Sequence, residues 1–184
     1  MTGESAARSP LEERAGDLET IGARLLPFLA QIDLRIDPAN ARRSPYALPV
    51  EPNTTARHDD VETLWLGPDE WLVVGPPGSA GELTSALGTA FADVHRSIVD
   101  VSANRVAIEL TGRDRFEVLS HVCSLDLEPP AWKGGACAQT LVGRAQVLIH
   151  ERPDATRLFV RPSFAGYVVD LLVAVRKVKD DVRA

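Results

Sequence analysis

Along residues 28–37 apolar and polar positions alternate: Ile32, Leu34 and Ile36 share one parity, and Asp33, Arg35 and Asp37 the other. A period of two predicts a half-buried strand. Residues 63–66 and 71–74 read as two more strands, joined by Gly67, Pro68, Asp69 and Glu70, whose chemistry is that of a turn. Beyond Ser79 the period changes. Leu83, Ala86, Leu87, Ala90 and Phe91 recur at helical spacing, and Ser79 with Glu82 predicts a capping box in front of them. Residues 97–101 and 105–110 form a predicted strand pair about Ser102, Ala103 and Asn104. A helix over 113–121 is expected to bury Phe116, Leu119 and Val122. A second pair, 137–141 and 145–150, turns at Val142 and Gly143, and 157–161 adds a strand. Ser163 is the expected cap of a final helix facing inward through Phe164, Tyr167, Val168, Leu171 and Leu172, with Lys177 and Lys179 at its negative pole.

Strand pairs interrupted by single helices predict an α+β fold with helices on one face of antiparallel sheets. A diverged duplication of a ferredoxin-like unit would give this rhythm, although no exact internal repeat is visible. Leu11, Leu18, Ile21 and Leu25 suit a short helix or an arm over 1–26, which Pro27 ends. The proline-rich stretch 38–60 reads as a long surface connection. The expected organisation is thus an arm (1–26), one α+β domain (27–176) and a charged tail (177–184), in which Asp180 and Asp181 answer the basic residues.

Composition narrows the function classes. The 184 residues are 45% hydrophobic, enough for a sizeable core, and the net charge of −6 argues against a sequence-independent grip on nucleic acid. Membrane-spanning and secretory-signal patterns are absent, so a cytoplasmic protein is expected. Cys123 and Cys137 both sit in apolar patterns and read as reduced, buried thiols.

Candidate chemistry is sparse. Gly134 and Gly135 lack phosphate-loop spacing and precede a strand, which makes them a tight turn. His58, His95, His121 and His150 are scattered, so no metal site is expected, and neither Ser102 nor Ser163 lies in a nucleophile elbow. Asn104 suits a turn position with positive φ. Arg105 and Arg144 are candidates for pairing with an acidic group on a partner or for neutralising a strand end. Trp65 and Trp71 are core residues of a hairpin or, alternatively, interface anchors.

Several segments resemble the gamma subunits of heterotetrameric sarcosine oxidases. They are residues 27–37, Trp65 through Leu72, Val99 through Arg105, Cys123 through Leu127, Gly135 through Thr140 and Arg161 through Tyr167. The order of elements is similar, more distantly, to the folate-binding N-terminal half of the glycine-cleavage aminomethyltransferases. The resemblance implies a complex that demethylates sarcosine with oxygen and tetrahydrofolate. Its flavins, dinucleotide and folate would be carried by alpha and beta subunits, and alpha, beta and delta subunits would be the partners, with no cofactor in this chain. In the aminomethyltransferases a carboxylate on the strand after the second hairpin faces the pterin. By element order that place falls here on Gln146 and Val147, neither able to relay a proton, with Glu151 the nearest acid. No catalytic, cofactor or metal residue is therefore expected. The alternative is a free-standing folate-binding one-carbon enzyme, and a weaker one an orphan interaction module.

Overall fold

A computed structural model describes residues 9–127 and 130–183. Two antiparallel five-stranded sheets carry the chain. The first half-sheet element to form is β1 (Ala23–Leu25), after the short helix α1 (Ala15–Thr20). Then come β2 (Ala30–Ile36), β3 (Thr55–His58), β4 (Val61–Gly67), β5 (Glu70–Gly75), α2 (Ala80–Ala90) and β6 (Arg96–Asp100). The second half holds β7 (Val106–Thr111), α3 (Arg115–Ser120), β8 (Cys137–Val142), β9 (Ala145–Glu151), β10 (Ala155–Val160) and α4 (Pro162–Arg183).

The sheet orders are β3-β4-β5-β2-β6 and β8-β9-β10-β7-β1. Laid side by side they match strand for strand, which is the duplication expected from the element rhythm. The match has one permutation. In the first sheet the outer strand β6 follows helix α2; in the second, the equivalent place beside β7 is filled by β1 from the N-terminal region. The expected N-terminal arm is therefore, over its described residues, part of the second sheet. Residues 1–8 of that arm lie outside the described residues.

Parity along the strands shows how the layers stack. Trp71 and Val73 join Ile32, Leu34, Leu83, Leu87 and Phe91 in a core beneath α2. Leu72 and Val74, of opposite parity, join Leu64, Ala107, Leu148 and Phe159 in a core between the sheets. Val147, Ile149, Leu158 and Val160 face Val168, Val169 and Leu172 of α4 in the third. The order of layers is helix, sheet, sheet, helix. Strands covered on both faces lose the apolar–polar alternation, and β10 is buried at every position.

Several local expectations change in three dimensions. The strands on either side of Ser102, Ala103 and Asn104 are not a hairpin: β6 pairs with β2 in one sheet and β7 with β10 in the other, so the short link carries the chain between layers. Asn104 donates its N–H to the Val101 carbonyl in that link, and the non-glycine residues with positive φ are instead Asn53 and Asp59. The capping box is not formed, because the Ser79 hydroxyl donates to the Pro76 carbonyl at 2.8 Å. Ser163 lies inside the first turn of α4 behind Pro162 rather than at its cap. Phe164 and Tyr167 point outward, while Ala165 and Val169 take the inward places expected of them. Residues 177–183 continue α4 instead of forming a tail, since Lys179 is buried against Glu117 of α3 with Nζ 2.8 Å from its carboxylate. The proline-rich connection contains the unforeseen strand β3. Cys123 and Cys137 are free and buried as expected, and burial pushes the Cys137 thiol up to about 12.

The space between the sheets is not wholly apolar. Arg157 of β10 donates to Glu62 of β4 at 2.7 Å and to Glu109 of β7 at 3.3 Å, joining the two sheets. Arg152 reaches the same two carboxylates at 3.0 and 3.3 Å, and Arg24 of β1 lies 2.5 Å from Glu109. Burial alone would raise the Glu109 pKa, but hydrogen bonds and charge from Arg24 and Arg157 outweigh it and hold the carboxyl below its usual range. His150 of β9 lies in the same layer. Burial, helped by the charges of Arg157 and Arg152 against those of Glu62 and Glu109, lowers its pKa from 6.5 to about 4, so it packs as a neutral imidazole.

Removing Arg157 takes one cationic partner from each of two buried carboxylates, while Arg152 and Arg24 remain beside them. Arg157→Ala should lower the unfolding free energy by about 1.5–3 kcal/mol, read from urea denaturation, whereas truncating the exposed Arg35 should leave the midpoint nearly unchanged. For His150 the unfolded state binds a proton more readily than the folded one, so its contribution is intact above pH 6.5 and is lost as pH falls towards 4. The gap between those values bounds that loss at about 3 kcal/mol. His150→Asn should flatten this part of the stability profile, measured by thermal unfolding between pH 7 and 4.5.

Candidate functional site

A one-carbon transfer site needs an ionisable group with room for a substrate beside it. The acidic residues of the interior do not offer one. Glu62 and Glu109 are taken up by the arginines between the sheets. Glu151, the acid nearest the expected carboxylate position, is the last residue of β9 and is buried. Its carboxylate pairs with Arg115 at 2.9 Å and accepts hydrogen bonds from Thr156 Oγ1 at 2.6 Å and Trp132 Nε1 at 3.3 Å. A carboxylate with that set of partners orders the junction of α3, β9 and β10; it faces no reacting group.

Gln146 and Val147 lie next to one another on β9 with opposite fates. Gln146 is exposed opposite Leu141, and Val147 is buried under α4. Among the described residues, no group of three or more His, Cys, Asp or Glu is placed to hold a metal ion, and no helix is long and apolar enough to cross a membrane.

Two of the four residues singled out for surface contact come to one end of the molecule. Register aligns Val106, Val160, Val147 and Thr140 across the second sheet, so Arg105, Arg161 and the Arg144 turn all project past the same edge of these strands. Trp65 lies elsewhere, its carbonyl accepting from the Cys137 thiol at 3.5 Å at the opposite end of β8 from the Arg144 turn. Trp71 is 0% exposed in the core beneath α2, with Nε1 donating to the Pro49 carbonyl at 2.7 Å, and offers no surface to a partner. The two tryptophans are cross-strand neighbours, but Trp65 sits at the bulged end of its strand and remains half-buried.

Arg144 follows Gly143, whose φ is +58°, and its exposed guanidinium makes no ion pair. Its N–H donates to the Tyr167 hydroxyl at 3.1 Å. A side chain at Gly143 would collide with Tyr167 and Leu171, so glycine is required for both the turn and the close packing on α4. Around this turn stand Leu141, 54% exposed, Tyr167 at 39% and Phe164, one turn back along α4, at 42%. Leu141, Tyr167 and Phe164 are thus exposed apolar side chains on the strand and helix that flank the Arg144 turn.

Arg105 is half-buried at the start of β7. Burial pulls its pKa below the usual arginine range; the charge of Asp33 opposes this, that of Arg161 adds to it, and Glu70 opposes it more weakly. None of them is close enough to pair with it. The apolar strip around Arg144 had no signal in the sequence, because Phe164 and Tyr167 fit an inward helical stripe equally well; only the rotation of α4 on its sheet turns them out.

Comparison with known proteins agrees with this fold. Residues 36–176 match the model of the sarcosine oxidase, gamma subunit family. A sarcosine oxidase subunit gamma from an Arthrobacter species is 35% identical over 160 residues, covering 79% of this chain and 77% of the relative. The heterotetrameric sarcosine oxidase of Corynebacterium sp. U-96 contains a chain with a TM-score of 0.83 at 26% identity, covering 93% of this chain and 95% of that one. The glycine cleavage aminomethyltransferase of Bartonella henselae has a TM-score of 0.66 at 12% identity, over 86% of this chain but 48% of that enzyme, a likeness of fold alone. With its duplicated sheets and with the family's sequence pattern across most of its length, this chain belongs to the sarcosine oxidase gamma subunit family.

Proposed function

We propose that this chain works as a non-catalytic subunit of a cytoplasmic heterotetrameric sarcosine oxidase, in contact with alpha, beta and delta subunits. The flavins, the dinucleotide and tetrahydrofolate are held by those partners, and this chain adds folded surface to the large folate-domain subunit. The observation that carries this reading is the contrast between interior and surface. Inside, Glu62, Glu109 and Glu151 are each bound to arginine. Outside, Leu141, Phe164 and Tyr167 stand exposed beside an unpaired Arg144. Arg105 and Arg144 share one end of the molecule and form the proposed contact surface, with half-buried Trp65 a separate candidate. Function resides in sites and not in folds, so the aminomethyltransferase architecture carries no folate chemistry with it.

Co-expression with the other subunits should yield a yellow complex that co-purifies on a tag carried by this chain, while the chain alone should be colourless and inert towards tetrahydrofolate derivatives. Turnover of such a derivative by the isolated polypeptide would overturn the reading in favour of a free-standing one-carbon enzyme. Within the complex, Leu141→Asp combined with Arg144→Glu should weaken retention of the partners by about tenfold or more, since changes at an interface centre carry most of its energy.

A further inference from the structure

Between the 25–29 connection and the first residues of β7 lies a cavity of about 280 Å³. Its walls are mainly apolar, from Leu25, Leu26, Pro27, Phe28, Val106 and Ala107. Phe28 stands 42% exposed beside it, large for an aromatic ring with no partner.

Four polar residues line this apolar recess, Ser9, Glu12, Gln31 and Arg105, and the side chains of the last two are unfulfilled. Gln31 is 1% exposed. Its Nε2 donates to the Arg105 carbonyl at 2.9 Å and to the Ser102 carbonyl at 3.4 Å, which fixes the amide, and its Oε1 has no hydrogen-bond partner. Arg105 lines the same cavity half-buried, and its guanidinium makes no ion pair or hydrogen bond among the described residues. Glu12 also lies on the rim, exposed, with one carboxylate oxygen accepting the Ser9 N–H at 2.8 Å.

Buried polar groups are normally satisfied, and a desolvated guanidinium is normally paired with a carboxylate. The cavity thus lacks a carboxylate for Arg105 and apolar bulk against Phe28, whereas Gln31 Oε1 is sealed off behind its wall. A peptide segment with an acidic residue next to an apolar one brings both. Small-molecule sites usually run from about 300 to 1,000 Å³. This cavity lies below that range, at the scale of one or two side chains.

We propose that the cavity is a socket for a partner subunit of the sarcosine oxidase complex. An acidic side chain of that subunit pairs with Arg105, and its apolar neighbour packs on Phe28. The proposal rests on the subunit reading above and adds to it the chemistry of the contact.

The test uses the full chain, tagged and co-expressed with the remaining subunits, with partner retention measured by native mass spectrometry during dilution. Arg105→Gln and Arg105→Glu should reduce retention by about tenfold or more, and Phe28→Ser should reduce it as well, whereas Arg105→Lys should keep most of it. The isolated Arg105→Gln chain should melt at the wild-type temperature or above it, because Arg105 has no internal partner to lose; this separates a lost contact from misfolding. Wild-type retention by both Arg105→Gln and Arg105→Glu would overturn the socket while leaving the subunit reading intact. Benzoate titrated into the assembled complex should cause no thermal shift that depends on Arg105. Such a shift would show the cavity open to free carboxylates in the complex and would overturn its assignment to a partner side chain. If the wild-type chain retains no partner at all, the subunit reading fails and the socket with it.

Discussion

Arg157 reaches across the space between the sheets, with one nitrogen 2.7 Å from Glu62 of the first sheet and another 3.3 Å from Glu109 of its own. In a layer otherwise filled by Leu64, Leu72, Leu148 and Phe159, a charged side chain is costly to bury. What it contributes is alignment. Apolar faces slide over one another at small penalty, but displacing either sheet here would leave a carboxylate and a guanidinium unpaired in low dielectric. Arg152 and Arg24 bind the same carboxylates, so the charges form a network rather than an isolated pair, although Arg157 Nε is left without a hydrogen-bond partner. Arg24 also ties in β1, the short strand that completes the second sheet from the N-terminal side.

The same arrangement ties the interior acids into the packing: Glu62 is held by two arginines and Glu109 by three. Glu151, held by Arg115, Thr156 and Trp132, is in the same condition on the other face of the second sheet. The interior acids serve cohesion, while Arg105 and Arg144, which make no ion pair, lie at one end of the second sheet.

Much of the layout was legible from period alone. The alternation of β2, the helical stripe of α2 and the turns at Gly67 and Gly143 follow from local chemistry, and each falls within a residue or two of its expected place. Failures share one cause. Period tells which residues share a face, but not what covers that face. Arg157 and Glu109 lie in strands that period alone predicts, yet period does not reveal that both sit between two stacked sheets. The rhythm of strands on both sides of residues 102–104 read as a hairpin, because spacing cannot say whether a chain turns back in its own sheet or passes to the next.

By itself, then, the sequence determined the element order, the duplication implicit in it, the core-forming parities and the family resemblance, since these depend on contacts within a few residues or on pattern over the whole chain. Tertiary structure alone decided that Trp71 lies in the core while Phe164 and Tyr167 lie outside it, and that β1 fills the place beside β7. It also decided that the interior acids are paired and that Gln31 and Arg105 meet unfulfilled at one cavity. Those outcomes turn on how layers are rotated and stacked, where residues far apart in the chain compete for the same few ångströms, and no local period encodes the winner.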